Sequence, residues 1–431
     1  MKNIHIKLSN GINNKKIFFQ KKWEEIHKTY GKIKGLILFP YVISHIVLEK
    51  IYVFFIKCFF PVKKNLIIFR SFPDYSDNAR ALAEYMVMNN YIDRYKIYFD
   101  VSDINRYHNR HDSITFISLI TKTGVRRLRY LRLMYTAGYL MSTHKVIINR
   151  QQARKEQKVI NLWHGCSFKD RTNQDGKGIA FFDYTIVQGE LFVKTKAYFW
   201  NIDEKYFLPL GYPRYDWLRT KDSAVQGIIE TFKKNKDTKI ILWMPTFRID
   251  KRGKCTESNS ISQFPLMDDN RKWKDLDELC IEKNIVLIVK LHPFQTEYGI
   301  PFDRFSNIIK IDNQFFDDID IPMYKFVALT DALISDYSSI GIDYLIVNHP
   351  LAFTLDDFEE YKKTRGFIIE DPRIYMPGHH LYTYEELKGF LSDVSEGKDL
   401  YKEKRERVLG DLITPSNNYC ESILDKLGIE Q

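Results

Sequence analysis

The chain has 431 residues, of which 44% are hydrophobic and 28% charged, and these globular values argue against wholesale disorder. This length accommodates two ordinary domains and a flanking segment. The five cysteines are odd in number and form no Cys-x-x-Cys pair, which argues against a disulfide framework or a structural zinc site and favours a reducing cytoplasm.

Residues 1–64 carry the whole net charge of +10, from thirteen lysines, no arginine and three glutamates. Within them, residues 35–48 contain no acidic or basic side chain other than His45. That run of 14 residues is shorter than the roughly 20 that span a bilayer as a helix. We therefore predict a helical segment that lies peripherally on the anionic cytoplasmic face of the cell membrane. A buried helix with solvated lysines is the alternative, and a nucleic-acid surface is disfavoured because arginine is absent.

From residue 65 onward, short apolar runs alternate with helical patterns, which predicts parallel sheets covered on both faces. A strand at residues 66–69 is followed by cap side chains at 76–78 and a helix at 79–86. Further strands of the first sheet are predicted at residues 96–101, 113–117, 139–142, 159–163 and 184–188. After a break at 210–214 and a helix with its connection at 220–239, strands of a second sheet are predicted at residues 240–244, 285–291, 308–311, 332–335 and 351–354.

Groups suited to phosphate chemistry follow several of these strands, at the sheet edge where open α/β folds bind ligands. His164 leaves its strand at a glycine, so that its imidazole can face a cleft, and His292 follows the strand at 285–291. Thr246 offers a hydroxyl, and Arg248 offers a guanidinium fork that suits phosphate. A strand-terminal His-Pro is also an ordinary turn, so His292 stays open to a structural interpretation.

A serine-rich turn precedes a helix that we predict at residues 340–347. Ser338 and Ser339 place hydroxyls and free backbone N–H groups at the start of this helix, where an anion can bind, and Asp336 belongs to the same turn. The same pattern is also an ordinary N-cap.

Arg365 and Gly366 form a positively charged turn that could close on a pyrophosphate.

Asp318 and Asp320 resemble a metal-binding Asp-x-Asp pair, but they precede an apolar run without other ligands. No His-x-His or His-x-x-x-His cluster occurs. We therefore expect neither a bound metal nor a cofactor.

The motifs occur in the order found in the CDP-glycerol glycerophosphotransferase family of teichoic-acid and capsule synthesis, which the sequence resembles over roughly residues 65–415. The upstream residues 71–78 resemble the signature of that family's N-terminal domain. Six motifs in register make the resemblance specific. They are Trp-His-Gly at 163–165, Gly-Tyr-Pro-Arg at 211–214, Pro-Thr-Phe-Arg at 245–248, Leu-His-Pro at 291–293, Ser-Asp-Tyr-Ser-Ser at 335–339 and Arg-Gly-Phe at 365–367.

The resemblance implies a GT-B architecture, an α/β fold in which two Rossmann-like domains face a cleft, without an essential bound metal. The chain then divides into a membrane-associating segment, an N-terminal acceptor domain, a C-terminal domain that binds CDP-alditol, and a tail. Their boundaries are residues 1–64, 65–215, 216–415 and 416–431.

In the reaction that the resemblance implies, an acceptor hydroxyl attacks the β-phosphorus of CDP-glycerol and releases CMP. Glycerol phosphate is thereby transferred to a lipid-linked acceptor at the membrane. His164 matches the family position for the base that such a hydroxyl needs, and His292 is the second candidate. The donor site that we predict comprises Thr246, Arg248, Asp336, Ser338, Ser339, Arg365 and Gly366.

Three alternatives stay open: a CDP-ribitol donor, a GT-B glycosyltransferase that uses a nucleotide sugar, and a membrane-bound scaffold without activity. Residues 166–169 read Cys-Ser-Phe-Lys, where many family members carry a Thr-Pro-type sequence. The chain is also nearer in size to the short priming members than to the long polymerases. Both features leave the acceptor open.

Overall fold

The computed structural model describes residues 32–107, 109–121, 125–169, 180–246, 264–291 and 300–431. The chain divides into two compact units. The first comprises the described residues up to Arg70, with Ile92–Leu140 and Ile147–Val159, and the second comprises Ser71–Tyr91, Met141–Val146 and Ile160–Gln431.

The helices and strands alternate along most of the chain. Up to residue 209 they are α1 (Lys32–Phe59), β1 (Lys63–Arg70), α2 (Asp77–Met88), β2 (Lys96–Asp100), α3 (Ile104–Tyr107), β3 (Ile114–Ile117), α4 (Leu128–Thr136), β4 (Ala137–Ser142), β5 (Lys158–Asn161), β6 (Tyr184–Val187), α5 (Leu191–Trp200) and β7 (Phe207–Pro209). Beyond residue 209 they are α6 (Tyr215–Arg219), α7 (Ser223–Phe232), β8 (Lys239–Trp243), α8 (Asn270–Glu282), β9 (Ile285–Lys290), β10 (Ile308–Ile311), α9 (Asn313–Asp318), α10 (Met323–Val327), β11 (Ala332–Ser335), α11 (Ile340–Asp343), β12 (Leu351–Thr354), α12 (Phe358–Thr364), β13 (His379–Leu381), α13 (Tyr384–Ser395), α14 (Lys402–Leu412) and α15 (Tyr419–Leu427).

The strands form two sheets, which confirms the predicted α/β class. The described strands of the first sheet follow the order β3-β2-β1-β4-β5-β6-β7, and those of the second follow β10-β9-β8-β11-β12-β13. The neighbouring strands of the second sheet all pair in parallel. In the first sheet, β1, β2 and β3 pair in parallel, as do β5, β6 and β7. Each predicted strand is present within a few residues, whereas β7 and β13 were not predicted because each has only three residues.

Continuous burial explains why these strands are apolar runs rather than alternating patterns. All six residues of β9 are buried, and β8 is buried over its last four. One face of the second sheet packs against α8 and α13, where Trp243 and Trp273 lie at the centre of the core at 0% and 1% exposure.

The N-terminal helix α1 is longer than the apolar run that predicted it. Its 28 residues continue through Glu49 and Lys57, and it packs against α4. Glu49 anchors it through an ion pair of 2.6 Å with Arg126. Its large side chains on the other face are exposed, namely Tyr41, Val47, Leu48, Ile51, Tyr52, Phe54, Phe55 and Phe59. Within the described ranges, no helix combines the length and the hydropathy that crossing a bilayer requires.

A helical segment is present where we predicted a helix at residues 340–347, but only its first part is an α-helix. The α-helix α11 ends at Asp343, and a 3₁₀ turn continues it over Tyr344–Ile346. Asn348 adopts a left-handed conformation with φ +56°, and Pro350 follows, so the helix cannot extend further. Val347 is consequently only partly buried, and the predicted apolar stripe stops at Tyr344.

Candidate active site

His164 lies on the turn after β5, and its ring is oriented by one backbone contact. Its Nδ1 lies 3.1 Å from the carbonyl oxygen of Thr143. Because a carbonyl can only accept, Nδ1 carries the proton of the neutral ring, and Nε2 keeps a lone pair. Burial lowers the pKa of His164 to about 3, with a smaller contribution from the charge of His144, while the Thr143 contact opposes the shift. Burial therefore keeps the imidazole uncharged, and the Thr143 contact leaves its lone pair on Nε2.

A second imidazole, not predicted from the sequence, is stacked on the first. The ring centroids of His144 and His164 are 3.9 Å apart, and the planes differ by 7°. Phe72 covers His144 edge-on at 5.6 Å, and Trp163 lies 4.2 Å from the His164 ring. Burial also lowers the pKa of His144, against an opposing effect of Asp77. Two neutral rings thus share one aromatic stack.

Arg214, from the Gly-Tyr-Pro-Arg motif, is a buried cation of this region at 1% exposure. Its Nη1 donates to Asp77 Oδ1 at 2.5 Å and to the carbonyl oxygen of His164 at 3.0 Å. Its Nη2 donates to Asp343 Oδ2 at 2.7 Å. Burial alone would lower the pKa of Arg214, but the two carboxylates raise it well above its usual value. Arg214 is therefore a fixed cation that joins three segments of the chain.

Asp343 is fully buried and accepts hydrogen bonds at both oxygens. Tyr215 and Gln188 donate to Oδ1 at 2.6 and 3.3 Å, and Tyr324 donates to Oδ2 at 2.9 Å, beside Arg214. Each oxygen of Asp343 therefore accepts from two donors. The residue was not predicted, although its position one helical turn after Ser339 was a usable signal.

The segment at residues 71–78, predicted as a family signature, contacts the same turn. Asn78 donates from Nδ2 to the carbonyl oxygen of Trp163 at 2.9 Å, and its Oδ1 accepts from the backbone N–H of Arg214. Tyr75, Asp77 and Trp163 all have left-handed φ values, between +46° and +56°. Non-glycine residues in that conformation cost energy and cluster at functional sites.

Gly165 brings the Trp-His-Gly turn against the serine-rich turn. It has φ +126°, and a Cβ atom there would lie 2.4 Å from Ser339 Oγ and 3.1 Å from Arg214 Nη2. Only glycine permits this approach. Two motifs that are far apart in sequence, Trp-His-Gly and Ser-Asp-Tyr-Ser-Ser, are therefore in contact.

Asp336 and Thr246 join the ends of β8 and β11. The backbone N–H and the hydroxyl of Thr246 donate to the two oxygens of Asp336 at 2.6 and 2.5 Å, and the backbone N–H of Ser338 donates to Asp336 at 3.1 Å. Lys169 Nζ lies 3.5 Å from Thr246 Oγ1. Asp336 thus shapes this turn, and the Ser338 N–H that we predicted as an anion donor already has an acceptor. Ser339 begins a helix of only four residues and makes no side-chain cap.

Arg365 and Gly366 follow α12, in a turn that the left-handed φ of +76° at Gly366 permits. This turn pairs with the segment after His164, because the N–H of Ile368 donates to the carbonyl oxygen of Phe168 at 2.8 Å. Lys169 and Phe367 form an antiparallel bridge beside it. The Arg-Gly-Phe motif thus joins the same neighbourhood.

Two predicted site residues, Arg248 and His292, lie outside the described residues. Contacts between their turns bring the other predicted site residues into one neighbourhood. In the described part of the chain, no group of three or more His, Cys, Asp or Glu side chains is arranged to hold a metal ion.

Most of the chain matches the model of one protein family. It is described as CDP-Glycerol:Poly(glycerophosphate) glycerophosphotransferase, and it covers residues 52–414.

Two curated relatives illustrate the sequence similarity. The chain is 27% identical over 358 residues to the teichoic acid ribitol-phosphate polymerase TarL of Staphylococcus aureus (strain NCTC 8325 / PS 47). The aligned region covers 78% of this chain and 58% of TarL. It is 26% identical over 356 residues to the teichoic acid poly(glycerol phosphate) polymerase of Bacillus spizizenii (strain ATCC 23059 / NRRL B-14472 / W23), which covers 76% of this chain and 83% of that enzyme. The chain thus spans little more than half the length of TarL.

Among solved structures, the wall teichoic acid polymerase TagF resembles the chain with a TM-score of 0.66 at 21% identity. The likeness covers 89% of this chain and 94% of the TagF chain. At that identity it concerns the fold, an α/β fold with two parallel sheets.

Proposed function

The chain belongs to the CDP-glycerol:poly(glycerophosphate) glycerophosphotransferase family, and we propose that it transfers an alditol phosphate from a CDP-alditol to a hydroxyl of a lipid-linked acceptor, releasing CMP. CDP-glycerol is the first candidate donor, because the family is described by it and a TagF variant has been soaked with CDPG. CDP-ribitol is the second, because TarL is a ribitol-phosphate polymerase.

The observation that carries this proposal is the orientation of His164. Its Nδ1 contacts a carbonyl oxygen, so the lone pair on Nε2 is available to take the proton of an attacking hydroxyl. The hydroxyl oxygen then forms a bond to the β-phosphorus as the bond to the CMP phosphate oxygen breaks. His292 is kept as the second candidate for the base.

We assign the donor phosphates to the turns that contact the His164 segment. Ser339 lies against Gly165, and Arg365 and Gly366 belong to the turn that pairs with Phe168. Arg248 is kept as a second cation, while Thr246, Asp336 and Ser338 shape the neighbouring turn. In this assignment residues 216–415 bind the donor and residues 65–215 bind the acceptor.

The test is to incubate the protein with CDP-glycerol, CDP-ribitol or a panel of nucleotide sugars, together with a lipid-linked acceptor. Mass spectrometry of the product identifies the transferred group. We expect a glycerol phosphate adduct and release of CMP. Transfer of a sugar, or no transfer from either CDP-alditol, would contradict the proposal.

The role of His164 has a matched control in His349. Both histidines have Nδ1 beside a backbone carbonyl, at 3.1 Å for Thr143 and 2.7 Å for Thr330. We expect His164→Ala to lower turnover by about 10²–10⁴-fold, as removal of a general base does, while His349→Ala keeps it. Equal turnover of the two variants would place the base elsewhere.

We also propose that the protein attaches peripherally to the cytoplasmic face of the membrane through α1. The exposed apolar face of this helix, defined above, combines with the lysines of residues 1–64, which suits an anionic lipid surface. Lysines near such a surface contribute about 1 kcal/mol each, and salt screens them.

Vesicle sedimentation tests this attachment. We expect binding to anionic vesicles that weakens with salt, and a loss of binding in the triple variant Phe54→Ser, Phe55→Ser and Phe59→Ser. Met88→Ser is the control, because Met88 is also exposed, at 80%, but lies on α2. Equal binding to neutral and anionic vesicles at every salt concentration would remove the electrostatic part of the proposal.

A further inference from the structure

The turn that carries His164 is held on both sides of Gly165, and both contacts lead to one carboxylate. We propose that Asp343 is a positioning residue for His164, which acts through Arg214 and Gln188 to fix the backbone of this turn. The inference rests on the proposed function in one respect, namely that His164 acts on the substrate.

The contact on the first side is made by Arg214. Its Nη1 donates to the carbonyl oxygen of His164 at 3.0 Å, and its Nη2 donates to Asp343 at 2.7 Å. The planar guanidinium has a fixed fork of donors, so a carboxylate that holds one nitrogen also sets the direction of the other. Asp343 therefore determines where Arg214 grips the turn.

The contact on the second side is made by Gln188. Its Oε1 accepts from the backbone N–H of Cys166 at 3.1 Å, and its Nε2 donates to Asp343 at 3.3 Å. Because the amide has one acceptor and one donor end, the bond to Asp343 selects the orientation in which the oxygen faces Cys166. The same carboxylate thus fixes both flanks of Gly165.

Asp343 contacts other protein groups and is buried away from any substrate. It is 0% exposed, and each oxygen accepts from two donors, with Tyr215 and Tyr324 completing the set. Arg214 is also buried, at 1% exposure, and its charge faces Asp77 and Asp343. This network orients a catalytic group and leaves the donor phosphates to other residues.

The experiment uses three variants of decreasing severity and one matched control, all in the full chain. Asp343→Asn removes the charge, Gln188→Met removes the grip on Cys166, and Tyr324→Phe removes one donor to Asp343. Tyr344→Phe is the control, because it deletes another buried tyrosine hydroxyl, which donates to the carbonyl oxygen of Thr330 at 3.0 Å.

The first measurement is steady-state transfer from CDP-glycerol. Misplacement of a catalytic group by about 1 Å costs on the order of 10²-fold in rate, so we expect such a loss of kcat in Asp343→Asn. Gln188→Met should lose about ten-fold and Tyr324→Phe less, while Tyr344→Phe keeps its kcat. The KM for CDP-glycerol should stay unchanged in all four, because none of these side chains is assigned to the donor.

The second measurement needs no activity. Nitrogen NMR of protein labelled at histidine reports the tautomer of His164, whose signal is identified by its absence from His164→Gln. We expect the Nδ1-protonated ring in the wild type and in Tyr344→Phe, and a mixture of tautomers in Asp343→Asn and Gln188→Met. If the wild type transfers nothing from a CDP-alditol, the proposed function fails, yet this measurement still decides the positioning role.

Three outcomes would overturn the inference. One is an unchanged kcat and tautomer in Asp343→Asn and Gln188→Met. Another is a raised KM with unchanged kcat, which would assign Asp343 to the donor site. The third is a loss of activity that follows the unfolded fraction measured by circular dichroism while the His164 signal is unchanged. Should Asp343→Asn not fold, Gln188→Met and Tyr324→Phe against Tyr344→Phe decide the question.

Discussion

The ends of β5 and β9 each precede a candidate histidine. The buried cation near the end of β5 is paired with carboxylates, whereas the one at the end of β9 is not paired in the part of the chain that the structure describes. After β5, Arg214 grips the turn of His164 and is compensated by Asp77 and Asp343. At the end of β9, Lys290 is buried to 7% exposure, and within the described residues it forms no ion pair.

The difference appears in the proton affinities of the two cations. Carboxylates raise the pKa of Arg214 well above its usual value, whereas burial lowers the pKa of Lys290 to about 8, against a smaller opposing effect of the Asp312 charge. A buried charge that is paired with an opposite charge fixes the positions of the groups around it. A buried charge without such a partner raises the free energy of the folded state. Only the paired charge of Arg214 can hold the turn of its histidine in a fixed geometry.

The largest expected effect is that of breaking the compensated side. Arg214→Met leaves Asp77 and Asp343 without their cation, and we expect the free energy of unfolding to fall by about 3–5 kcal/mol. Urea denaturation measures it. Arg373→Met is the control, because its pair with Asp371 lies at the surface, and it should change stability by less than about 1 kcal/mol. Equal effects of the two variants would show that the Arg214 network contributes no more than a surface pair.

The opposite sign is expected for Lys290→Met. The unfolded chain holds the lysine proton up to about pH 10.5 and the folded chain up to about pH 8, so the charge destabilises the fold at all lower pH values. At about 1.4 kcal/mol per pKa unit, the variant should gain roughly 3 kcal/mol at pH 7. Wild-type stability should rise between pH 8 and 10.5 relative to the variant.

Urea denaturation at pH 7 and pH 10 tests this second prediction. Lys274→Met, which replaces an exposed lysine on α8, serves as the control and should change little at either pH. A loss of stability in Lys290→Met at pH 7 would mean that the ammonium group has a stabilising partner.

The sequence predicted the positions of these two strand ends but not the side-chain contacts made there. The apolar runs of β5 and β9 predicted both strands, and the punctuating motifs predicted that their ends carry chemistry. The contacts of Asp343 with Gln188, Tyr215 and Tyr324 join residues up to 155 positions apart, and no local pattern encodes such pairings. His144 was missed for the same reason, because its importance comes from stacking on His164.

A smaller effect is expected at Gly165, where the turn after β5 meets Ser339. Alanine there adds left-handed strain of about 1–3 kcal/mol and a Cβ atom that must displace the Ser339 hydroxyl. We expect Gly165→Ala to lower the urea midpoint. Gly227→Ala on α7 is the matched control, since no atom lies within 4 Å of its added Cβ and alanine favours the helix by up to about 1 kcal/mol. Equal midpoints for the two variants would mean that the turn accommodates a side chain.

The smallest expected effect concerns pH and the rate. The pKa of His164 is about 3, so its Nε2 stays unprotonated through the mildly acidic range, unlike that of an ordinary histidine near 6.5. We therefore expect kcat/KM for CDP-glycerol to stay nearly constant as the pH falls from about 7.5 to about 5, since kcat/KM reports the free enzyme. His144→Gln removes a secondary cause of the lowered pKa of His164 and should move the acid limb upward, but burial remains and keeps it below 6.5. A wild-type acid limb centred near 6.5 would show that the working base titrates as a solvent-exposed imidazole, and it would separate that base from the buried ring held by Thr143.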